Sequence, residues 1–544
     1  MSFSSLLLAG RGSAMTSYFS LLYLGGFLPL SLLIYSILPQ RFRRYFLLAA
    51  SYSFFWLISG KLVVYLLLST LSIHYFGLWL DRLQRERDEL AKAVPRQERK
   101  AVKKEFQRRQ RLILLFAAAL HIGVLLVLKY SPFFTTNINT LLSHLHIPLQ
   151  LEVPQFILPI GISFYTLQAV SYLFDVYRGA IQADGNLPRL GLFMSFFPQI
   201  VEGPVCRYRE TAHQLWEVKG IEFLNLKLGL QRILYGLMKK LVIADRLNPF
   251  VKEVFSNYSQ YEGGILAIGA VLYTIQLYMD FSGTMDAVVG TAQIFGVKLP
   301  ENFQRPFFSR SISEFWKRWH ITLGAWFKDY IFYPVTMSKC MKSLTSAARK
   351  KIGNHFGPLL AGAVALFCVW SCNGLWHGSA WNYIFFGMYH FVLILSGNII
   401  EPAVKRLHAV LHINPESFLY RLFQMVRTSL LVVIGELFFR AEGLRAGFSM
   451  FKKILTDFGF TSLNGRLLSK LKMDAHDICI TAAALLIILT VSILQEKGIP
   501  IRNSLEKRSL PLRWAAIYAL ILFIVIFGAY GPGYIPLDPI YANF

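Results

Sequence analysis

The sequence predicts an all-α, polytopic membrane protein, and three observations predict it. Of 544 residues, 54% are hydrophobic and only 16% charged, and the mean hydropathy of +0.45 is too high for an ordinary soluble domain. The apolar residues fall in runs close to the roughly 20 that a helix needs to cross a bilayer. The basic residues collect between those runs, where Lys and Arg mark cytoplasmic loops. With 56 Lys+Arg against 31 Asp+Glu the net charge is +25. Spread over loops, that charge is a topology signal and a contact for anionic lipid or a phosphorylated substrate, so no nucleic-acid partner is expected.

Taken in order, the candidate spans are Thr16 to Pro39, Tyr45 to Gly60, Leu62 to Leu80, Leu112 to Leu128, Pro154 to Phe174 and Gly263 to Met279. Phe356 to Cys372, Asn382 to Asn398, Thr428 to Phe439 with its flanks, Ile478 to Leu494 and Trp514 to Tyr530 follow, making about eleven transmembrane helices. The first run lacks a basic segment before it and reads as a retained span, not a cleaved signal. Asp81 to Arg111 carries twelve Lys/Arg and six Asp/Glu with no apolar stripe. It reads as a solvated helical or flexible cytoplasmic arm, with Arg41, Arg43 and Arg44 on the same side. Ser131 to Pro154, without Lys or Arg, reads as an external loop, as does Glu442 to Lys472 although it is basic. The last span rises from Arg508 and Arg513 and leaves the tail 531–544 outside. Both termini outside require an even number of crossings, one different from eleven. Repeats, low-complexity tracts and a separate soluble domain are lacking. One membrane domain over 1–544 is expected, with N-terminal helices at 1–130 (arm 81–111), a core at 154–400 and C-terminal helices at 418–544.

Three segments do not read as spans. Leu190 to Pro204 is apolar but broken by Pro and Gly, a backbone tolerated at membrane depth only where it is buried in protein or lines a cavity, so it is expected to be re-entrant. Leu228 to Ala244 is interrupted by Arg232, Lys239 and Lys240. At 100° per residue, Ser311 to Tyr333 places Trp316, Trp319, His320, Leu323, Phe327 and Tyr330 on one face and Glu314, Lys317, Arg318, Lys328 and Asp329 on the other, an amphipathic interfacial helix. The five cysteines, Cys206, Cys340, Cys368, Cys372 and Cys479, contain no C-x-x-C pair, so neither zinc nor a disulfide framework is indicated and no metal site is expected.

Two histidines carry the chemistry. His320 sits mid-stripe among aromatics, which taken alone fits a hydrogen-bonded core histidine. His377 ends the span-bounded run Asn373-Gly-Leu-Trp-His377-Gly, and an ionisable group at membrane depth points to function. Burial disfavours its charged form, keeping the imidazole neutral and able to accept a proton, the condition a general base needs. Asn373, one turn earlier, can orient the ring or donate to a developing oxyanion. Helix packing at Gly374 and Gly378 is the plainer reading of that motif.

Glu314-Phe-Trp-Lys-Arg-Trp-His320 followed by Asn373-Gly-Leu-Trp-His377-Gly resembles the paired signature of the membrane-bound O-acyltransferase (MBOAT) family. Pro159-Ile-Gly-Ile-Ser-Phe-Tyr, Phe197-Pro-Gln-Ile-Val-Glu-Gly-Pro-Val-Cys-Arg207-Tyr, Gly236-Leu-Met-Lys-Lys-Leu-Val-Ile-Ala-Asp245, Tyr278-Met-Asp280-Phe-Ser-Gly, Pro300-Glu-Asn302-Phe-Gln-Arg-Pro306 and Phe439-Arg440-Ala441 are similar to its bacterial alginate O-acetyltransferase branch. The resemblance covers most of the chain in order. It implies an MBOAT fold with re-entrant and interfacial helices around a central two-sided tunnel, His377 at the catalytic position and His320 at the second. Two departures stand out. The chain reads Ser282-Gly-Thr284-Met285-Asp286 where the branch continues Ser-Gly-Tyr-Ser-Asp, and a basic stretch at Lys339 to Asn354 is inserted between the histidines.

The chemistry so implied is acetyl transfer from a cytosolic thioester to a hydroxyl of an envelope or exported polysaccharide in the bacterial cytoplasmic membrane. Acetyl-CoA is the expected co-substrate, with no tightly bound cofactor. His377 would take the hydroxyl proton, and His320 and Asn373 would stabilise the oxyanion or position the thioester. No Ser or Cys forms a nucleophile elbow beside either histidine, which favours direct transfer. Trp316, Trp319, Trp376, Arg318, Lys317 and Asp280 are the expected substrate contacts, with Asp280 also a candidate partner for a basic residue. Lys239, Lys240 and Arg305 are expected to hold the coenzyme phosphates, with Arg310 as a further candidate, although for most such charges simple inside-positive topology is the better reading. Glu202 and Arg207 would shape the cytoplasmic mouth. Related systems suggest an extracytoplasmic SGNH-hydrolase-like partner whose serine receives the acetyl group. Three alternatives stay open: D-alanyl transfer of the teichoic acid type from a carrier protein, a polytopic transporter, which would more often show internal repeats, and a non-catalytic scaffold.

Overall fold

The computed structural model describes residues 17–461 and 473–530, and these are helical throughout, with one isolated bridge, Phe303 to Trp319. Among the described residues, eight helical runs are long and apolar enough to cross a membrane: Gln40–Ala93, Arg99–His144, Gly263–Ile294, Lys339–His377, Trp381–Val410, Phe418–Arg440, Ala475–Glu496 and Leu510–Phe527. That differs from the eleven expected for identifiable reasons. Tyr45 to Gly60 and Leu62 to Leu80 fall within one run. Thr16 to Pro39 yields the shorter helix Leu22–Ile37. Pro154 to Phe174 is helical only from Ile162, because Pro154, Pro159 and the left-handed Gly161 (φ 74°) hold off the first turn.

The chain forms two compact units, one from the residues up to Leu230 with Val288–Pro300, the other from Gln231–Ala287 and the described residues from Glu301 onward. The first holds α1 (Leu22–Ile37), α2 (Gln40–Ser59), α3 (Val63–Ala93), α4 (Arg99–His144), α5 (Ile162–Tyr177), α6 (Leu187–Ser195) and α7 (Tyr208–Glu217). The basic arm is the tip of the α3–α4 hairpin: Val94 is extended ahead of Pro95, as the residue before a proline prefers, and helix resumes at Arg99. Of Ser131 to Pro154 only residues 145–154 are loop, since α4 continues to His144. After Pro132 the sequence offers no Gly or Pro to stop it before Pro148. The broken segment Leu190 to Pro204 is buried along its length. There Phe197 N donates to Ser51 Oγ at 3.1 Å, and Tyr18 Oη donates to Phe197 O while accepting from Val201 N. Side chains thus satisfy backbone groups that no helix pairs, as burial demands. In the loop before α6, burial alone would raise the Asp184 carboxyl pKa. Arg189 and Tyr208, both bonded to it, hold it below the ordinary value instead.

α8 (Phe223–Leu237) crosses from the first unit's residues into the second's. The second unit continues through a π-turn segment Met238–Ala244, α9 (Asp245–Ser256), α10 (Gly263–Ile294, whose residues from Val288 on belong to the first unit), α11 (Ile312–Arg318), α12 (Ile321–Phe327), α13 (Tyr333–Thr336), α14 (Lys339–His377), α15 (Trp381–Val410), α16 (Phe418–Arg440), α17 (Leu444–Thr456), α18 (Ala475–Glu496), α19 (Ile501–Glu506) and α20 (Leu510–Phe527). The charges that interrupt 228–244 are neutralised internally. Lys239 Nζ lies 2.7 Å from Asp286, and Lys240 Nζ lies 2.7 Å from Asp280 and 3.1 Å from Asp245. Close approach makes these pairs possible: a Cβ on Gly236 would stand 2.5 Å from the Gly283 carbonyl, so the two backbones touch where the lysines meet the aspartates. The basic stretch at 339–354 is the start of α14, kinked at Gly353 (φ 82°, ψ 178°). Of the expected external loop Glu442 to Lys472, the part before Asp457 contains α17. Residues 462–472 and the tail 531–544 lie outside the described residues.

Candidate active site

The expected single amphipathic helix over Ser311 to Tyr333 is two helices. α11 starts at a Ser311 cap on the Glu314 N–H and ends at Arg318. Trp319 is extended, and His320 takes the left-handed conformation (φ 45°, ψ 51°) before α12 begins. Histidine visits that region more readily than most residues, but it is uncommon and held only where surroundings impose it. The segment after Pro300 imposes it. Gln304 N donates to Arg318 O at 2.9 Å and Ile321 N to Asn302 O at 3.0 Å, while Thr322 N (3.2 Å) and Thr322 Oγ1 (2.9 Å) both donate to Asn302 Oδ1. No residue of the periodic pattern announces this break, because the partner lies about eighteen positions upstream.

His377 is the last residue of α14, which stops at the extended Gly378. α14 and α15 pack at glycines: a Cβ on Gly387 would stand 2.3 Å from Trp370 O, and one on Gly374 2.6 Å from Tyr383 O. This crossing delivers His377 against Phe439 (ring centroids 5.1 Å) and Phe386 (5.9 Å). The Trp376 ring lies 5.5 Å from His320 and 5.0 Å from His377, so both imidazoles flank one indole. His320 and His377 line the same cavity, of about 440 Å³, together with Asn373, Trp316, Trp319 and Trp370. Asn373 Oδ1 is buried there without a hydrogen-bond partner among the described residues. Burial, seconded by the nearby His377, holds the His320 imidazole pKa well below the ordinary 6.5, so the ring is neutral at neutral pH.

A second, polar cavity of about 550 Å³ is lined by Arg232, Lys239, Arg305 and Arg502 against the carboxylates of Asp286 and Glu301. Asn302 lies on its wall and meets His320 at 3.2 Å, so the two cavities share that pair as a partition. Asn302 is the functional residue missing from the sequence-based site. Only its place in the Pro300–Pro306 motif marked it.

Several expected contacts are placed elsewhere. Lys240 and Asp280 face each other and line neither cavity. Burial alone would lower the Lys240 pKa, but Asp280 and Asp245 raise it above the ordinary value, which keeps the ammonium charged. Arg318 is held by Glu314 at 2.8 Å and Glu496 at 3.1 Å, away from both cavities. Arg310 pairs with Glu416. Lys317 lines the histidine cavity, Lys239 and Arg305 the polar one, and Arg305 also pairs with Glu496 at 2.5 Å. Among the described residues no cluster of His, Cys, Asp or Glu has the form of a metal site.

Trp316 reaches the cavity wall with its Nε1–H donated to His390 Nδ1 at 3.2 Å. His390→Leu removes the partner of that partly buried donor, and thermal unfolding in detergent is expected to report a loss of about 0.5–1.5 kcal/mol. A loss below about 0.5 kcal/mol would show the bond to be dispensable.

Residues 180–349 match the model of the membrane-bound O-acyltransferase (MBOAT) family, a stretch that contains Asn302 and His320 and ends before Asn373 and His377. The chain is 30% identical over 450 residues to a protein named "Probable alginate O-acetylase AlgI" from Azotobacter vinelandii, covering 82% of this chain and 80% of that one. The chain belongs to the MBOAT family. As a member it is a multi-pass membrane O-acyltransferase. A Helicobacter pylori peptidoglycan O-acetyltransferase is 29% identical, covering 68% of each chain. A Bacillus subtilis teichoic acid D-alanyltransferase is 31% identical over 51% of this chain and 67% of its own.

Proposed function

We propose that this MBOAT protein moves an acetyl group from a cytosolic thioester, acetyl-CoA, to a hydroxyl of an envelope or exported polysaccharide, directly or through an extracytoplasmic hydrolase-like protein with a nucleophilic serine. The observation that carries this reading is the cavity that His320, Asn373 and His377 line together. Neutral His377 takes the proton of the attacking hydroxyl as its oxygen bonds to the thioester carbonyl carbon. The C–S bond then breaks, and the sulfur leaves with the proton from His377, so no proton is consumed. The Asn373 side-chain amide, one turn before His377, is the donor suited to the developing oxyanion, an interaction typically worth about 3–4 kcal/mol. Trp316, Trp319 and Trp370, which line the cavity, enclose the acyl group and exclude water, while Trp376 lies outside the lining and packs against both histidine rings.

The donor's phosphates suit the polar cavity, where four cations face two carboxylates. Arg502 has no ion-pair partner there among the described residues and is the cation most available to a ligand. The basic tip of the α3–α4 hairpin and the five Lys/Arg between Glu496 and Trp514 support a cytoplasmic placement of both and, with them, termini outside the inner membrane. The named activities of the alginate and peptidoglycan relatives support a polysaccharide acceptor. Mass spectrometry of envelope and exported polymers from deletion and complemented cells tests the reading. One C₂H₂O gained per modified site upon complementation is expected. A gain of C₃H₅NO would instead assign alanyl transfer, and no gain in any polymer would remove the proposal.

A further inference from the structure

The amide of Asn302 has one possible orientation. Its acceptor atom takes a hydrogen bond from the backbone N–H of Thr322 at 3.2 Å, and a backbone N–H only donates. The atom there is therefore the carbonyl oxygen Oδ1, and the Thr322 hydroxyl donates to it as well at 2.9 Å. The amide nitrogen is left facing Met285 Sδ at 3.3 Å. The same Oδ1 lies 3.2 Å from His320 Nδ1. A carbonyl oxygen donates nothing, so the ring must donate from Nδ1. Buried and neutral, an imidazole carries one proton, which places the lone pair on Nε2. Asn302 and His320 are 1% and 3% exposed, so water does not compete for these bonds.

We infer that Asn302 is a positioning residue that locks His320 in the Nδ1–H tautomer, making His320 a hydrogen-bond acceptor in the acyl-transfer cavity and not a donor to the oxyanion. The left-handed turn at His320 and the tautomer come from one side chain, because Asn302 pins the backbone through its carbonyl and the Ile321 and Thr322 N–H groups while gripping the ring. Oxyanion stabilisation then falls to Asn373. In that tautomer His320 Nε2 acts as an acceptor toward a proton-bearing group of a reactant, an acceptor hydroxyl or a donor amide N–H. Asn302 also lines the polar cavity, so the side chain that grips His320 stands on the wall between the two cavities.

The charged neighbourhood allows a clean test. Of the titratable groups on the surrounding elements, Asp280 is paired with Lys240, Asp286 with Lys239 and Arg232, and Glu301 with Arg232. Arg305 and Arg318 are paired with Glu496. Lys317 and Lys328 line the same cavity, and His377, when it carries the proton, opposes protonation of His320. Asn302→Asp keeps an acceptor toward Nδ1 and Thr322 but adds a negative charge beside the ring, which favours imidazolium. In a thioester-to-polysaccharide assay with the full-length protein, the acid limb of kcat/KM is expected to move to higher pH by roughly one to three units. A profile superimposable on that of the unsubstituted protein would overturn the assignment. The inference rests on acyl transfer in this cavity, so a second measurement reads the ring without substrate. In ¹⁵N-histidine-labelled protein in lipid, the His320 signals, assigned by their loss in His320→Gln, are expected to show a protonated Nδ1 and an unprotonated Nε2. A protonated Nε2 overturns the inference even if acetyl transfer stands. The expected pattern sustains it even if the donor or acceptor is other than proposed.

Discussion

His377→Gln is expected to lower acetyl transfer by roughly 10²- to 10⁴-fold, the typical contribution of a positioned general base, while the protein remains folded and membrane-inserted. Glutamine retains an amide of similar reach against Phe439 and Phe386 but has no basic nitrogen, so lost turnover separates proton transfer from packing. Acetate ester content of the target polymer in complemented cells, read beside thermal unfolding of the purified variant, makes the comparison. Near-normal ester content with normal folding would take His377 out of the mechanism and leave it as one more ring in the aromatic cluster around Phe386.

The largest effect on stability is expected from Lys240→Met. Lys240, Asp280 and Asp245 are all buried, and the ammonium stands 2.7 Å and 3.1 Å from the two carboxylates. Removing it strands two desolvated negative charges, and breaking such a buried pair typically costs about 3–5 kcal/mol. Unfolding of the purified variant in detergent measures the loss, and Lys240→Arg, which keeps the charge, should recover part of it. A Lys240→Met protein as stable as the parent would mean that water reaches the aspartates. The test also bears on function, because the charge of Lys240 made it a candidate for the coenzyme phosphates, whereas the geometry occupies it internally.

Much of the fold was legible along the chain. A helix that faces lipid must be apolar for its full length and satisfy its own backbone, so Phe356 to Cys372, Asn382 to Asn398 and Ile478 to Leu494 announced themselves and lie within α14, α15 and α18. Helix ends without a local signal did not, and α4 ran on through the residues expected to form a loop. The site divides in the same way. His320, Asn373 and His377 could be picked out because polar groups beside apolar runs are conspicuous. The free or paired state of each cation could not, since Lys239, Lys240, Arg305 and Arg318 look alike until their carboxylate partners, up to 191 positions away, are known.

The sequence by itself determined that this chain is a multi-pass helical membrane protein and which residue types were available for acyl transfer, because hydropathy and residue chemistry are properties of short stretches. Only the tertiary structure decided that His320 breaks a helix, that its ring is gripped by Asn302, and that Lys240 answers to Asp280 and Asp245. Those outcomes depend on hydrogen bonds and ion pairs between segments far apart in the chain, formed because buried polar groups must find partners wherever the fold brings them.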